Sequence, residues 1–130
     1  MKKIIALSAP SNTGKTTILK LLWKKISNTS VKSGDITERC TIEGNVVSII
    51  SCGDPGTDLE NRLAKELDDA DWVVCACRTR GETPKGVENC ATRFNAKIYW
   101  ISPIISSDES VHDYGNNEIS NLIYNLIKNN

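Results

Sequence analysis

Ala9-Pro10-Ser11-Asn12-Thr13-Gly14-Lys15-Thr16 is the stretch on which the reading of this chain turns. A small residue, four variable ones and Gly-Lys-Thr follow an apolar run, Ile4-Ile5-Ala6-Leu7. They lead into Thr17-Ile18-Leu19-Lys20-Leu21-Leu22, which has helical character. The order predicts a strand that delivers the chain, a loop, and a helix that begins beneath it. The first N–H groups of a helix lack partners within it, and that end carries partial positive charge. A loop of this form therefore turns a row of donors towards phosphate oxygens. Ser11, Asn12, Thr13, Gly14, Lys15, Thr16 and Thr17 are the candidate binding residues. Lys15 would add a point charge to the phosphates, and the Thr16 hydroxyl would ligate Mg²⁺. A surface turn that happens to carry Gly and Lys is the plain alternative, and placement between strand and helix argues against it.

With these residues in view the chain resembles the P-loop nucleoside triphosphatases. The likeness is specific over Ala9–Thr16, the Walker A pattern, and looser over the rest. Ala9 stands where Gly is commoner, at a position that needs only a small side chain.

Size and composition fit one domain over residues 1–130, large enough to bury a core. Sixteen basic side chains balance sixteen acidic ones, so no overall field favours nucleic acid or an anionic membrane. Met1-Lys2-Lys3 and the apolar residues after it superficially resemble a secretory signal, but the apolar stretch is too short and runs straight into the loop. Five cysteines (Cys40, Cys52, Cys75, Cys77 and Cys90) make an odd number and fit a reducing, cytoplasmic setting. Cys75 and Cys77 alternate on a strand without a second ligand pair, which reads as buried thiols rather than a zinc site.

Further along, a helix is expected from Lys15 to Ser27, broken by Ser27-Asn28-Thr29-Ser30. Arg39–Glu43 and Val46–Ile50 read as strands around a Gly44-Asn45 hairpin turn. Asp58–Leu67 carries Leu59, Leu63 and Leu67 at helical spacing, and Trp72–Cys77 is a continuous apolar run, hence a buried parallel strand. A helix from Pro84 to about Phe94, a strand Ala96–Ile101 and a helix Asn117–Lys128 complete the chain. The fold expected is α/β: a three-layer sandwich on a mostly parallel sheet of five to six strands with one antiparallel edge strand. In layout it resembles the small Ras-like GTPases, where a hairpin precedes the second, metal-side motif.

That second motif is sought after Val46–Ile50, in Gly53-Asp54-Pro55-Gly56. The resemblance implies that Asp54 holds Mg²⁺ through water and that the Gly56 amide senses the terminal phosphate, although one residue is missing before Gly56. Asp-Pro-Gly is also a strong turn sequence on its own account. Lys15 and Asp54 are the residues expected to carry the chemistry, with Thr16, Asp54 and Thr37 around the metal. Thr37 falls in Ser33–Arg39, where a switch loop or an ordinary solvated loop would lie. Arg78 and Arg80 follow a strand whose end would line the ligand crevice, and either would neutralise phosphate charge or simply be solvated. His112 lies in a polar stretch and is expected to be exposed, with no role.

The resemblance to GTPases stops at the base-reading element: after Ala96–Ile101 comes Ser102–Asp108, with no Lys. ATP is therefore favoured over GTP. The expected function is Mg²⁺-dependent nucleotide binding and hydrolysis. A small-molecule kinase, with Asp35, Arg39, Arg78 and Arg80 around the acceptor, is the first alternative. A nucleotide-dependent switch with a protein partner and little turnover is the second, and a degenerate loop binding no nucleotide the third.

Overall fold

The computed structural model describes residues 1–29 and 34–130. Among the described residues nine elements follow one another: β1 (Lys3–Ser8), α1 (Lys15–Ser27), β2 (Thr37–Ile42), β3 (Asn45–Ile50), α2 (Leu59–Asp69), β4 (Trp72–Cys77), α3 (Glu82–Phe94), β5 (Lys97–Ile101) and α4 (Glu109–Lys128). The parts of the predicted first-helix break and switch loop on Ser30 and Ser33 lie outside the described residues.

Five strands form one sheet in the order β2-β3-β4-β1-β5. Only β2, at one edge, runs antiparallel to its neighbour; the other pairings are parallel. The centre of the sheet is apolar on both faces because helices cover both. Every residue of β4 is buried, and Ile4, Ile5, Ala6 and Leu7 of β1 are fully enclosed. The period-two alternation of strands sorts them. Ile4, Ala6, Val73, Cys75 and Cys77 pack with α2 and α3 residues such as Leu63, Leu67 and Val87. Ile5, Leu7, Trp72, Val74 and Ala76 pack with α1 and α4 residues such as Leu19, Leu22 and Ile123. Cys75 and Cys77 do share a face, all five cysteines are free, and burial pushes the Cys75 thiol well up, which leaves it a small apolar side chain.

Two expectations need correction. The hairpin turn is Glu43-Gly44, one residue before the Gly44-Asn45 pair: Glu43 and Gly44 have φ of 48° and 81°, while Asn45 pairs with Ile42. A two-residue turn with both φ positive matches the strand twist. The shift arises because Asn45 sits on the strand, which leaves Glu43 to take the left-handed conformation. The last helix begins at Glu109, eight positions before Asn117. Asp108 caps it, its carboxylate accepting from the Ser110 and Val111 N–H groups at 2.9 and 3.4 Å. The added turns carry polar residues and Gly115, which a search for apolar periodicity passes over. Gly115 is needed there because Ile104 packs against it: a Cβ on Gly115 would lie 2.7 Å from the Ile104 Cβ.

The strand order positions the candidate site. β4 lies between β1 and β3, so its C-terminal end emerges between the Ala9–Thr16 loop and the Asp54 turn. Gly53 makes the close approach to β4 possible. A Cβ there would stand 2.2 Å from the Ala76 carbonyl oxygen.

Candidate functional site

Beyond the end of β1 the chain bends back at Asn12 (φ 59°) and Gly14 (φ 93°) before α1 begins. Gly14 occupies the position before the helix and brings no capping side chain to its open N–H groups. The N–H groups of Lys15, Thr16 and Thr17, in the first turn of α1, have no partner within the helix. They border a cavity of about 250 Å³ lined by Ser11 through Thr17, with Asp35, Ser51, Gly53, Asp54 and Ala76.

Lys15 lies on the floor of this cavity, only 7 % exposed. Its ammonium donates to the carbonyls of Ala9, of Pro10 at 3.2 Å and of Cys77 at 3.1 Å. Three acceptors use all three of its donors without a counter-charge. Burial, and then the neighbouring Arg78 guanidinium, pull its pKa below the ordinary lysine value; Cys77 and Asp54 oppose this. A buried cation beside open N–H groups is an environment that an anion would relieve.

The loop is braced from α4. The His112 Nε2 lies 3.1 Å from the Thr13 carbonyl, which can only accept, so the proton belongs on Nε2. Asn116, 3 % exposed, lies against Gly14, and its Oδ1 has no partner. A Cβ on Gly14 would meet this oxygen at 3.0 Å and His112 Nε2 at 3.1 Å. His112 is thus half-buried against the loop rather than exposed without a role, a correction that follows from the earlier start of α4.

Across the cavity from the loop, Asp54 contributes to the same lining as Thr16. Its Oδ1 accepts from Arg78 Nη2 at 3.1 Å and Nε at 3.3 Å. The turn closes on itself through Thr57, whose hydroxyl donates to the Asp54 carbonyl at 2.6 Å. Gly56 does not line the cavity; its N–H donates to the Glu82 carboxylate at the start of α3. Thr37 is not brought to Thr16. It opens β2 and lines a separate pocket with Ile50, Arg62, Lys65 and Glu66. The hydroxyl and carboxylate nearest that role belong to Ser51 and Asp35, joined at 3.3 Å, both on the cavity wall. Ser51 also accepts from the Ile36 N–H at 2.6 Å, which ties the segment before β2 to the end of β3.

Of the remaining basic candidates, Arg80 is exposed, and Arg39 points away to Glu66 at 3.0 Å and Asp69 at 3.7 Å. Residue-type patterns along the chain carry no signal for Ser51, His112 or Asn116, because their places come from contacts between distant segments, and Asp35, expected only around a kinase acceptor, lines the cavity itself. Gly53, adjoining Asp54, was open to suspicion as a glycine at a strand end.

Among the described residues no three His, Cys, Asp or Glu side chains gather as a self-sufficient metal cage. The donors on the cavity wall are oxygens: Thr16, Ser51, Asp35 and Asp54. Such a set fits Mg²⁺, a hard cation that keeps water and takes phosphate oxygens as further ligands. No helix is long and apolar enough to cross a membrane among the described residues. No protein-family model matches the chain, and a search of the curated proteins finds no match.

Proposed function

We propose that this chain is a P-loop nucleotide-binding protein of three-layer sandwich form, which binds a nucleoside triphosphate with Mg²⁺ and hydrolyses its terminal phosphoanhydride. One observation carries the reading: the buried Lys15 ammonium and the open first N–H groups of α1 line one cavity together with Asp54. The N–H groups of Ser11–Thr17 bind the phosphate oxygens, and Lys15 leaves its carbonyl partners to join them. Thr16 holds the cation directly and Asp54 holds it through water. When bound, Mg²⁺ would neutralise charge on the phosphates. In hydrolysis a water oxygen bonds to the terminal phosphorus as the bond to the bridging oxygen breaks, giving nucleoside diphosphate and inorganic phosphate.

ATP is favoured, since the segment after β5 has no Lys to read guanine. Among the described residues no side chain on the cavity wall is committed to orienting an attacking water, so intrinsic turnover is expected to be slow, on the order of 10⁻³ s⁻¹. The same feature favours a second reading, a nucleotide-dependent switch with little turnover. A further observation points that way. Trp100, Ile104, Ile105, Val111 and Tyr114 are exposed between β5 and the first turns of α4, the helix that braces the loop.

The test is amide NMR of the full chain during titration with Mg²⁺·ATP and Mg²⁺·GTP, alongside phosphate-release kinetics. The expected result is large shifts for the Ser11–Thr17 amides at lower concentrations of ATP than of GTP. Unmoved loop amides with either nucleotide would end the reading. Bound ATP without phosphate release would select the switch.

A further inference from the structure

Both groups of the Asp54–Gly56 turn that a nucleotide would use are already engaged, and by one short segment. Arg78 holds the Asp54 carboxylate with two N–H groups, and Glu82, at the start of α3, accepts the Gly56 N–H. The segment is anchored independently of these contacts. The Arg78 N–H donates to the buried Thr83 hydroxyl at 2.9 Å, and the Arg78 carbonyl accepts from Ser8 at the end of β1 at 3.2 Å. Its main chain is therefore fixed between the loop and the turn, while the guanidinium, held on Asp54, stands a third exposed. From this pivot the guanidinium is also near enough to Lys15 of the loop for the two positive charges to act on each other.

We infer that Arg78 is an exchange residue: it caps Asp54 while the site is empty and transfers to the terminal phosphate when nucleotide and metal enter together. This rests on the nucleotide reading above. The guanidinium cancels the Asp54 charge, and a divalent cation brought alone to the free Oδ2 meets the positive charge of Arg78 at close range. Metal alone therefore binds weakly. A polyphosphate reverses the balance, because its negative charges outnumber the single carboxylate and accept the same forked donors. The released Asp54 then faces the cation, and the loss of the Arg78 contact leaves only Glu82 on the turn. Metal capture is thus coupled to phosphate capture through one side chain, without a separate lid.

The experiment measures Mn²⁺ binding by electron spin resonance, in the absence of nucleotide, for the wild-type chain, Arg78→Gln and Arg78→Lys. It also measures a fluorescent ATP analogue with Mg²⁺ on the same proteins, with circular dichroism as the check on folding. Arg78→Gln is expected to bind Mn²⁺ alone roughly fivefold more tightly, the worth of an exposed ion pair. It is expected to bind the nucleotide with Mg²⁺ about tenfold more weakly, the worth of a lost charge-assisted contact. Arg78→Lys, which keeps the charge without the fork, is expected between the two on both measures and guards against a misfolded Gln variant. Equal Mn²⁺ affinities for wild type and Arg78→Gln, or an undiminished nucleotide affinity in Arg78→Gln, would overturn the exchange while leaving the nucleotide reading intact. Failure of that reading has a different signature: the wild type itself binds no nucleotide, and the exchange falls with it.

Discussion

The loop from Ala9 to Thr17 takes its shape from its own backbone, whereas the turn from Asp54 to Thr57 across the same cavity is held by side chains of another segment. On the loop side, two left-handed residues and the start of α1 aim N–H groups into the cavity, and Lys15 is held by main-chain carbonyls. On the turn side, Arg78 and Glu82 supply the contacts, near solvent. The first wall is preorganised in its main chain, whose N–H groups at the start of α1 need no rearrangement to meet an anion, and only the Lys15 side chain has to change partners. The second is exchangeable, because its two outside contacts rest on the charged side chains Arg78 and Glu82, which another charge can draw away. A binding site that must both recognise and respond has use for one wall of each kind.

The difference can be broken most severely at the root of the turn. Gly53→Ala pushes a Cβ to within 2.2 Å of the Ala76 carbonyl oxygen, where neither main chain can yield cheaply. A loss of about 3 kcal/mol is expected, a fall in Tm on the order of 10 °C in thermal denaturation. An unchanged Tm would mean that the turn wall is not packed against β4 as described. On the loop wall, Gly14→Ala meets a smaller obstacle, the Asn116 amide and the His112 ring, but carries the strain of φ 93°. About 1–2 kcal/mol of stability is expected to be lost, read from urea denaturation. The exchangeable contact is the cheapest to remove. Arg78→Gln is expected to cost less than about 1 kcal/mol in the same assay, since the pair is exposed and screened. A cost as large as that of Gly14→Ala would erase the distinction between the walls.

How much of this was legible in the sequence follows the same division. The loop, α1 and β4 depend on neighbouring residues, and their boundaries were read directly: α1 spans Lys15–Ser27 and β4 spans Trp72–Cys77, as expected. Asp54 lines the cavity and was open to reading because it follows a strand of readable pattern. Thr37 did not, because which side of β2 faces the cavity depends on pairing with β3, not on residue type. The start of α4 was hidden by its polar first turns, and with it the brace from His112 and Asn116. The Arg78–Asp54 pair joins residues 24 positions apart, and the strand order that puts β4 between β1 and β3 brings them together.

The smallest expected effect lies at the α4 brace. Hydrogen bonds from the Ser110 hydroxyl and the Val111 and Ser110 N–H groups hold the Asp108 carboxyl below the ordinary value of 3.8. A depressed carboxyl contributes stability above its unfolded pKa and loses it as pH falls through the folded one. Protection of the Ser110 and Val111 amides in hydrogen exchange is therefore expected to weaken only below about pH 4. Protection that weakens already above pH 5 would point to a different group.

The central claim is that the Ser11–Thr17 cradle and Lys15 form a nucleotide site. Its most direct test is titration of a fluorescent ATP analogue, with Mg²⁺, into the wild-type chain and Lys15→Ala, with circular dichroism on both. The expected result is saturable binding by the wild type that is weakened at least tenfold in a Lys15→Ala variant with unchanged secondary structure. No binding by the wild type, or equal binding by a folded Lys15→Ala, would contradict it.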